Sequence, residues 1–136
     1  MNILFVCKWN RFRSKAGEAI FNKIYKNQKH HAKSAGIFPY FSLSKESIKT
    51  LNEVQKRFGI KFSKKQSSIS KKLINWSDTI IVVAEDVPIS IFNIFKEEHQ
   101  KKLVYWKIKD VFGKNIKKRI GRVKEIESKI KALNLN

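Results

Sequence analysis

Short continuous apolar runs alternate along this chain with segments whose apolar residues recur every three or four positions. Ile3-Leu4-Phe5-Val6 is unbroken, as in a strand buried on both faces. Ile80-Ile81-Val82-Val83 repeats that pattern within a strand expected over 78–84, and Leu103 to Ile108 predicts another. A short second strand is expected at Ala32–Ala35, ending at Gly36. Ser14 to about Lys26 predicts a helix with Ala16, Ala19, Ile20 and Ile24 on one stripe. A second helix is expected from a Ser44 cap to Phe58, burying Ile48, Leu51, Val54 and Phe58 and stopped by Gly59. Pro88 suits the first turn of a further helix, continued by Ile91, Ile94 and Phe95. The final helix, Asn115 to Leu133, carries Ile116, Ile120, Val123, Ile126, Ile130 and Leu133 on one stripe. Gly121 inside it costs about 1 kcal/mol relative to Ala, so tertiary packing must support that helix. Phe38 to Phe41, with Pro39 and Tyr40, reads as an aromatic loop, and 62–70 as irregular. The alternation predicts an α/β fold: a single three-layer domain over 1–136, with about four parallel strands and helices on both faces. In such sheets the working crevice lies at the carboxyl ends of the strands. Cys7 and Asp110 both fall at such ends.

Composition narrows the class. With 136 residues, 42% of them hydrophobic, the chain can build one core, and wholesale disorder is excluded. No apolar run approaches the roughly 18 residues that a membrane-spanning helix needs. The apolar stretch at 2–6 is too short for a secretory signal, and Lys8, Arg11 and Arg13 follow it rather than precede it. A cytoplasmic location is expected. The single cysteine, Cys7, excludes an intramolecular disulfide and a thiolate metal cluster. His30, His31 and His99 are expected at the surface, and neither metal nor cofactor is expected.

The formal net charge of +19 attracts anions: phosphorylated substrates, nucleic acid or an acidic surface. Lysines spread from Lys8 to Lys131, together with many Ile and Asn, fit biased nucleotide composition equally well. Lys117, Lys118, Arg119, Arg122 and Lys124 read as a solvated basic face of the last helix.

The segment Cys7-Lys8-Trp9-Asn10-Arg11-Phe12-Arg13-Ser14 carries the chemistry. A loop of this length between strand and helix can curl its backbone N–H groups inward and, with the helix N-terminus, cradle a phosphate dianion. Arg13 can close the cradle with paired hydrogen bonds to phosphate oxygens. The same charges favour a thiolate at Cys7, and Ser14 can donate a hydrogen bond to its sulfur. The thiolate then attacks phosphorus to form a cysteinyl-phosphate. A nearby carboxylic acid must protonate the departing oxygen and afterwards activate the hydrolytic water. Lys8, Trp9, Asn10, Arg11, Phe12 and Phe112 are the candidate substrate-binding residues, with Trp9, Tyr40, Phe41 and Phe112 at the mouth, where an aromatic ester can stack. Ordinary loop packing explains those aromatic residues equally well. Arg11 either selects an acidic neighbour of the phosphate or is simply solvated.

The loop resembles that of the low-molecular-weight protein tyrosine phosphatases, C-x-G-N-x-C-R-S, at Cys7, Asn10, Arg13 and Ser14. Ala16-Gly17-Glu18-Ala19-Ile20-Phe21, Ser34-Ala35-Gly36 and Ser77-Asp78-Thr79-Ile80-Ile81-Val82-Val83 are similar to later family segments, in the family's order. Asp110-Val111-Phe112-Gly113 stands where the family has its D-P acid loop, and by that resemblance Asp110 is the general acid. Asp78 begins a strand, and Asp86 reads as a helix cap. The implied activity is hydrolysis of a phosphomonoester, in a phosphorylated protein or small molecule, with phosphotyrosine the leading substrate. Phosphoarginine is a further candidate, as is arsenate reduction with an external thiol. A catalytically weak module that binds phosphate or nucleic acid is the alternative class.

Five positions depart from the family pattern. Trp9 replaces a glycine, which is costly if the backbone there is left-handed and tolerable if it is extended. Phe12 replaces a second cysteine, so no protective disulfide can form. Lys15 replaces a proline, a change expected to be minor. Val111 replaces the acid loop's proline, which is expected to loosen that loop. Lys64 stands near a histidine that braces the phosphate loop in many members.

Overall fold

The structure is a computed structural model that describes residues 1–26, 29–38, 45–98 and 103–135, with side chains at all of these except 94–98. Pro39, Tyr40, Phe41, Ser44 and His99, and the side chains of Ile94 and Phe95, lie outside the described residues. The elements in chain order are β1 (Asn2–Cys7), α1 (Arg13–Ile24), β2 (His31–Gly36), α2 (Lys45–Phe58), α3 (Lys71–Trp76) and β3 (Thr79–Ala84). A 3₁₀ helix (Ile89–Glu98), β4 (Leu103–Ile108) and α4 (Ile116–Ala132) complete the fold.

The four strands form one parallel sheet in the order β2-β1-β3-β4. Its two central strands are the two unbroken apolar runs, because only these strands are buried on both faces. Ile3, Phe5, Ile81 and Val83 pack with α1, α2 and α4 on one side, through Ile20, Phe21, Leu51, Val54, Val123 and Ile126. Leu4, Val6, Ile80 and Val82 pack on the other side against Ile74 of α3 and Phe92 of the 3₁₀ helix. The chain therefore forms the expected three layers. It leaves β1 toward β2 and leaves β3 toward β4, so the crevice between the ends of β1 and β3 is a topological switch point. Lys107, at φ 55°, sits in a register shift between β3 and β4 just before the loop that carries Asp110, and bulges of this kind re-aim strand ends.

Some boundaries differ from the sequence expectation. In α1 the buried stripe is Ala16, Gly17, Ile20 and Phe21, while Ile24 is exposed. Phe21 takes the inward place because its ring fills the space beside Phe5 and Tyr25. Ile48 of α2 points to solvent instead of the core. The segment after Pro88 winds as a 3₁₀ helix. The short helix α3, capped by the Ser70 side chain accepting from the Leu73 N–H, was not expected: its six residues are too few to show a period. Among the described residues, no helix is long and apolar enough to cross a membrane.

Two glycines within helices have opposite roles. A Cβ at Gly17 would lie 2.7 Å from the ring of Phe5, which is itself wedged between Phe21 and Trp106. A Cβ at Gly121 would meet nothing within 4 Å. Gly17→Ala should therefore destabilise the fold by about 1–3 kcal/mol through overpacking. Gly121→Ala should stabilise it by about 0.5–1 kcal/mol through helix propensity. Urea denaturation of both variants measures the two signs.

Candidate active site

β1 ends at Cys7, and the next five residues reverse the chain into α1. The reversal occurs at Asn10, whose backbone is left-handed at φ 52°. Asparagine tolerates this conformation better than most residues. Trp9 is not among the positive-φ residues, so the tryptophan in place of glycine carries no such strain. The turn sends the Asn10 N–H toward the Cys7 sulfur, at 3.2 Å. Phe12, at the N-cap of α1, supplies no side-chain cap. The N–H groups of the first turn thus remain available to an anion.

The Asn10 side chain is fully buried and fixes the direction of a hydrogen-bond network. Its Oδ1 accepts from the Ser67 N–H at 2.8 Å, which sets the amide orientation. Its Nδ2 then donates to Ser14 Oγ at 2.7 Å and to Ser34 Oγ at 3.0 Å. Ser34 in turn donates to Glu18. Because Ser14 Oγ accepts from Asn10, its own proton is free for the Cys7 sulfur, 3.0 Å away. Gly36 completes the support from below. A Cβ there would lie 2.7 Å from the Asn10 nitrogen and 2.8 Å from the Trp9 carbonyl carbon.

Arg13 is buried and held by three groups. Nη1 donates to the Ile108 carbonyl at 2.9 Å; Nη2 lies 3.0 Å from Asp86 Oδ1 and 3.7 Å from Asp110 Oδ2. These contacts use part of its five N–H donors, and the side chain still lines the cavity. Asp86 is therefore a brace for Arg13 and not the helix cap expected from sequence. Asp110 lines the same cavity as Cys7, and its Oδ1 accepts from the Val111 N–H at 2.8 Å. A proline at 111 would have no N–H to give. Val111 is also buried, so it anchors the loop after β4 where loosening was expected.

The cavity, about 190 Å³, is lined by Cys7, Arg13 and Asp110 at its base, with Trp9, Arg11, Phe112 and Arg119 around them. It is smaller than the roughly 300–1,000 Å³ usual for small-molecule sites, which suits a compact group. Phe112 is almost wholly exposed, and Trp9 packs against Phe38 with ring centroids 6.1 Å apart. Phe12 also lines the cavity but is buried against Phe62. Lys8, Asn10 and Ser14 are not among the lining residues; Asn10 and Ser14 face into the protein beneath the loop. Among the described residues, no group of three or more His, Cys, Asp or Glu is placed to hold a metal ion.

Three supporting residues depart from the sequence expectation. Lys15 is buried, and its Nζ donates to the Ser63 carbonyl, to Ser63 Oγ at 3.0 Å and to the Lys65 carbonyl at 2.7 Å. Burial pushes its pKa down, and Glu18 and then Cys7 pull it back up. Lys15 thereby fixes a strap at 63–67, far from a minor change. That strap holds the loop after β1: Gln66 Nε2 donates to the Trp9 carbonyl at 3.0 Å, and Ser67 binds Asn10. Lys64, expected near the bracing position, is exposed, and Gln66 and Ser67 do the bracing instead. Arg119 is buried, not part of a solvated face. It stacks over Phe12 at 5.0 Å and donates to the Gly113 carbonyl at 2.8 Å. Burial lowers its pKa, Asp110 opposes that shift, and Arg11 adds to it. Position 119 lies three residues after Ile116 and four before Val123, on the apolar stripe of α4, and that spacing is the sequence signal for its burial.

A protein-family model described as low molecular weight phosphotyrosine protein phosphatase matches residues 2–132. No curated protein sequence matches significantly. Among solved structures, the chain is similar to a low molecular weight protein tyrosine phosphatase from T. tengcongensis, with 24% identity, 98% and 97% of the two chains covered and a TM-score of 0.78. It is also similar to the YwlE arginine phosphatase from Geobacillus stearothermophilus, with 25% identity, 97% and 89% covered and a TM-score of 0.74. An arsenate reductase from Archaeoglobus fulgidus gives 26% identity, 96% and 97% covered and a TM-score of 0.74.

Two substitutions test the support of the loop. Gly36→Ala pushes a methyl group into loop backbone, which cannot swing aside as a side chain can. It should cost about 1–3 kcal/mol on urea denaturation and displace the loop. Lys15→Met removes charged donors from the strap, whose carbonyls water can partly re-satisfy. The expected loss is about 1–3 kcal/mol, accompanied by faster amide exchange at Ser67, whose N–H binds Asn10.

Proposed function

The chain belongs to the low molecular weight phosphotyrosine protein phosphatase family and is a phosphomonoesterase of that type; on that premise we propose that it hydrolyses aryl phosphomonoesters, phosphotyrosine first, through a cysteinyl-phosphate on Cys7. One observation carries the reading. Cys7, Arg13 and Asp110 line a single small cavity, and Ser14 Oγ stands 3.0 Å from the nucleophilic sulfur.

The steps follow from the placement of the groups. The phosphate enters over the loop, where the first turn of α1 and Arg13 face its oxygens. Asp86 and the Ile108 carbonyl hold the Arg13 fork in place, so its remaining donors need no reorganisation at the moment of reaction. The Cys7 thiolate attacks phosphorus in line as the bond to the ester oxygen breaks. Asp110 gives its proton to that oxygen. In the second step the Asp110 carboxylate takes a proton from water, which attacks the cysteinyl-phosphate. Phosphorus leaves sulfur, and the Ser14 hydroxyl stabilises the departing thiolate.

The mouth favours an aromatic leaving group. The exposed Phe112 offers a face for a phenyl ring to stack on, and Trp9, with Lys8 and Arg11 over its ring, forms the opposite wall. Arg11 and Arg119 set positive charge there, which opposes the cationic guanidinium of phosphoarginine. Arsenate reduction would need an external thiol, since Cys7 is the only cysteine. The enzyme is proposed to work in the cytoplasm on a phosphorylated protein or a small phosphate ester.

The test is hydrolysis of phosphotyrosine, phosphoarginine and alkyl phosphate, with arsenate reduction in the presence of glutathione as a further arm. Wild type should prefer phosphotyrosine. Cys7→Ser should abolish turnover and still bind phosphate. Asp110→Asn should lower kcat by about 10²–10⁴, most on the poorer leaving group. Turnover by Cys7→Ser, or an inert wild type, would overturn the reading. An inert wild type that bound RNA with a steep salt dependence would be a binding module instead.

A further inference from the structure

A second concavity opens beside the phosphate cavity. It is a groove of about 510 Å³ with Leu51 and Phe62 at its floor and the exposed Ile48 along one side. Lys61, Lys64 and Arg11 rim it, and among the described residues no acidic side chain lines it. Arg11 also lines the phosphate cavity, so one side chain separates the two openings. Lys61 and Lys64 are exposed, and neither is ion-paired among the described residues.

The chemistry of the groove limits what it accepts. An apolar floor gains by covering an aliphatic or aromatic side chain. A cationic rim with no anion favours carboxylates and disfavours lysine and arginine. Ile48 and Leu51, three positions apart on α2, present one continuous apolar edge to such a ligand. The groove's position adds a third limit, because a ligand lying in it ends next to the phosphate cavity.

We infer that this groove docks the polypeptide of the substrate itself. Its occupant is a stretch next to the phosphorylated residue, carrying carboxylates and one aliphatic or aromatic anchor. The inference rests on the phosphatase reading above and deepens it. Small phosphate esters use the first cavity alone, while acidic phosphoproteins use both.

The experiment compares kcat/KM for p-nitrophenyl phosphate with that for two series of phosphotyrosine peptides. One series carries Glu-Leu-Glu on either side of the phosphotyrosine, and the other carries Ser-Ala-Ser. The acidic apolar peptide should be favoured about tenfold or more. Ile48→Asp and Lys61→Glu should each remove that preference and leave p-nitrophenyl phosphate turnover unchanged. Lys71→Glu makes the same charge change on α3, across the sheet, and should preserve the preference. The inference is overturned if the groove variants keep the preference, or if the α3 variant loses it equally, since general charge attraction would then explain it. Absence of p-nitrophenyl phosphate turnover in wild type would instead sink the phosphatase reading.

Discussion

A loop that wraps its amide hydrogens around an anion must reverse direction within a few residues, and here the reversal depends on Asn10. Its left-handed backbone aims its own N–H at the Cys7 sulfur. Its amide spends one acceptor on the Ser67 N–H and two donors on Ser14 and Ser34. One buried side chain therefore joins Ser14 at the start of α1, the second strand and the strap at 63–67. A buried network of this kind rewards complete satisfaction and penalises partial satisfaction. The loop's shape is thus set by the whole upper edge of the sheet and not by its own sequence alone.

Charge balance at the site follows the same logic. Two buried arginines, Arg13 and Arg119, stand near two partly exposed carboxylates, Asp86 and Asp110. Asp86 offsets Arg13 in the absence of substrate, so the guanidinium need not be desolvated without a partner. Asp110 lies at 3.7 Å from Arg13, too far for a short hydrogen bond, and has its other oxygen tied to the Val111 N–H. The two carboxylates are thereby placed differently: Asp86 braces Arg13, and Asp110 faces the cavity. The net charge of +19 is mostly spread elsewhere on the surface and is not needed to explain the site.

The fold was legible because its determinants are local and periodic. β1 and β3 are unbroken apolar runs, and burial on both faces requires that. The parallel sheet followed from alternation with amphipathic helices. The placement of Cys7, Arg13 and Ser14 around one loop was legible because strand, loop and helix N-terminus are contiguous. Asp86, Lys15 and Arg119 were misread because each acquires its role from a distant partner: Arg13, the strap at 63–67, and the acid loop. Ile48 was placed inward because periodicity reports which face is apolar, not whether every apolar residue is covered. Position was nonetheless informative. Asp86 follows the end of β3, and the rule that picked out Cys7 and Asp110 at strand ends applies to it equally.

The departures from the family pattern bear on the support of the loop more than on its chemistry. A glycine is not needed at Trp9, because the left-handed residue is Asn10 and the close approach is made by Gly36 from beneath. Phe12 fills the place of a second cysteine with a ring packed on Phe62 and covered by Arg119. Lys15 gives up proline's fixed φ at the helix start and gains three hydrogen bonds to the strap. Val111 gives up the same rigidity in the acid loop and gains an N–H for Asp110. At Lys15 a local backbone constraint has been exchanged for tertiary hydrogen bonds, and at Val111 for a hydrogen bond to the adjacent residue. Rigidity in this site therefore depends on long-range contacts, so damage to the strap or to α4 should reach the chemistry without touching Cys7.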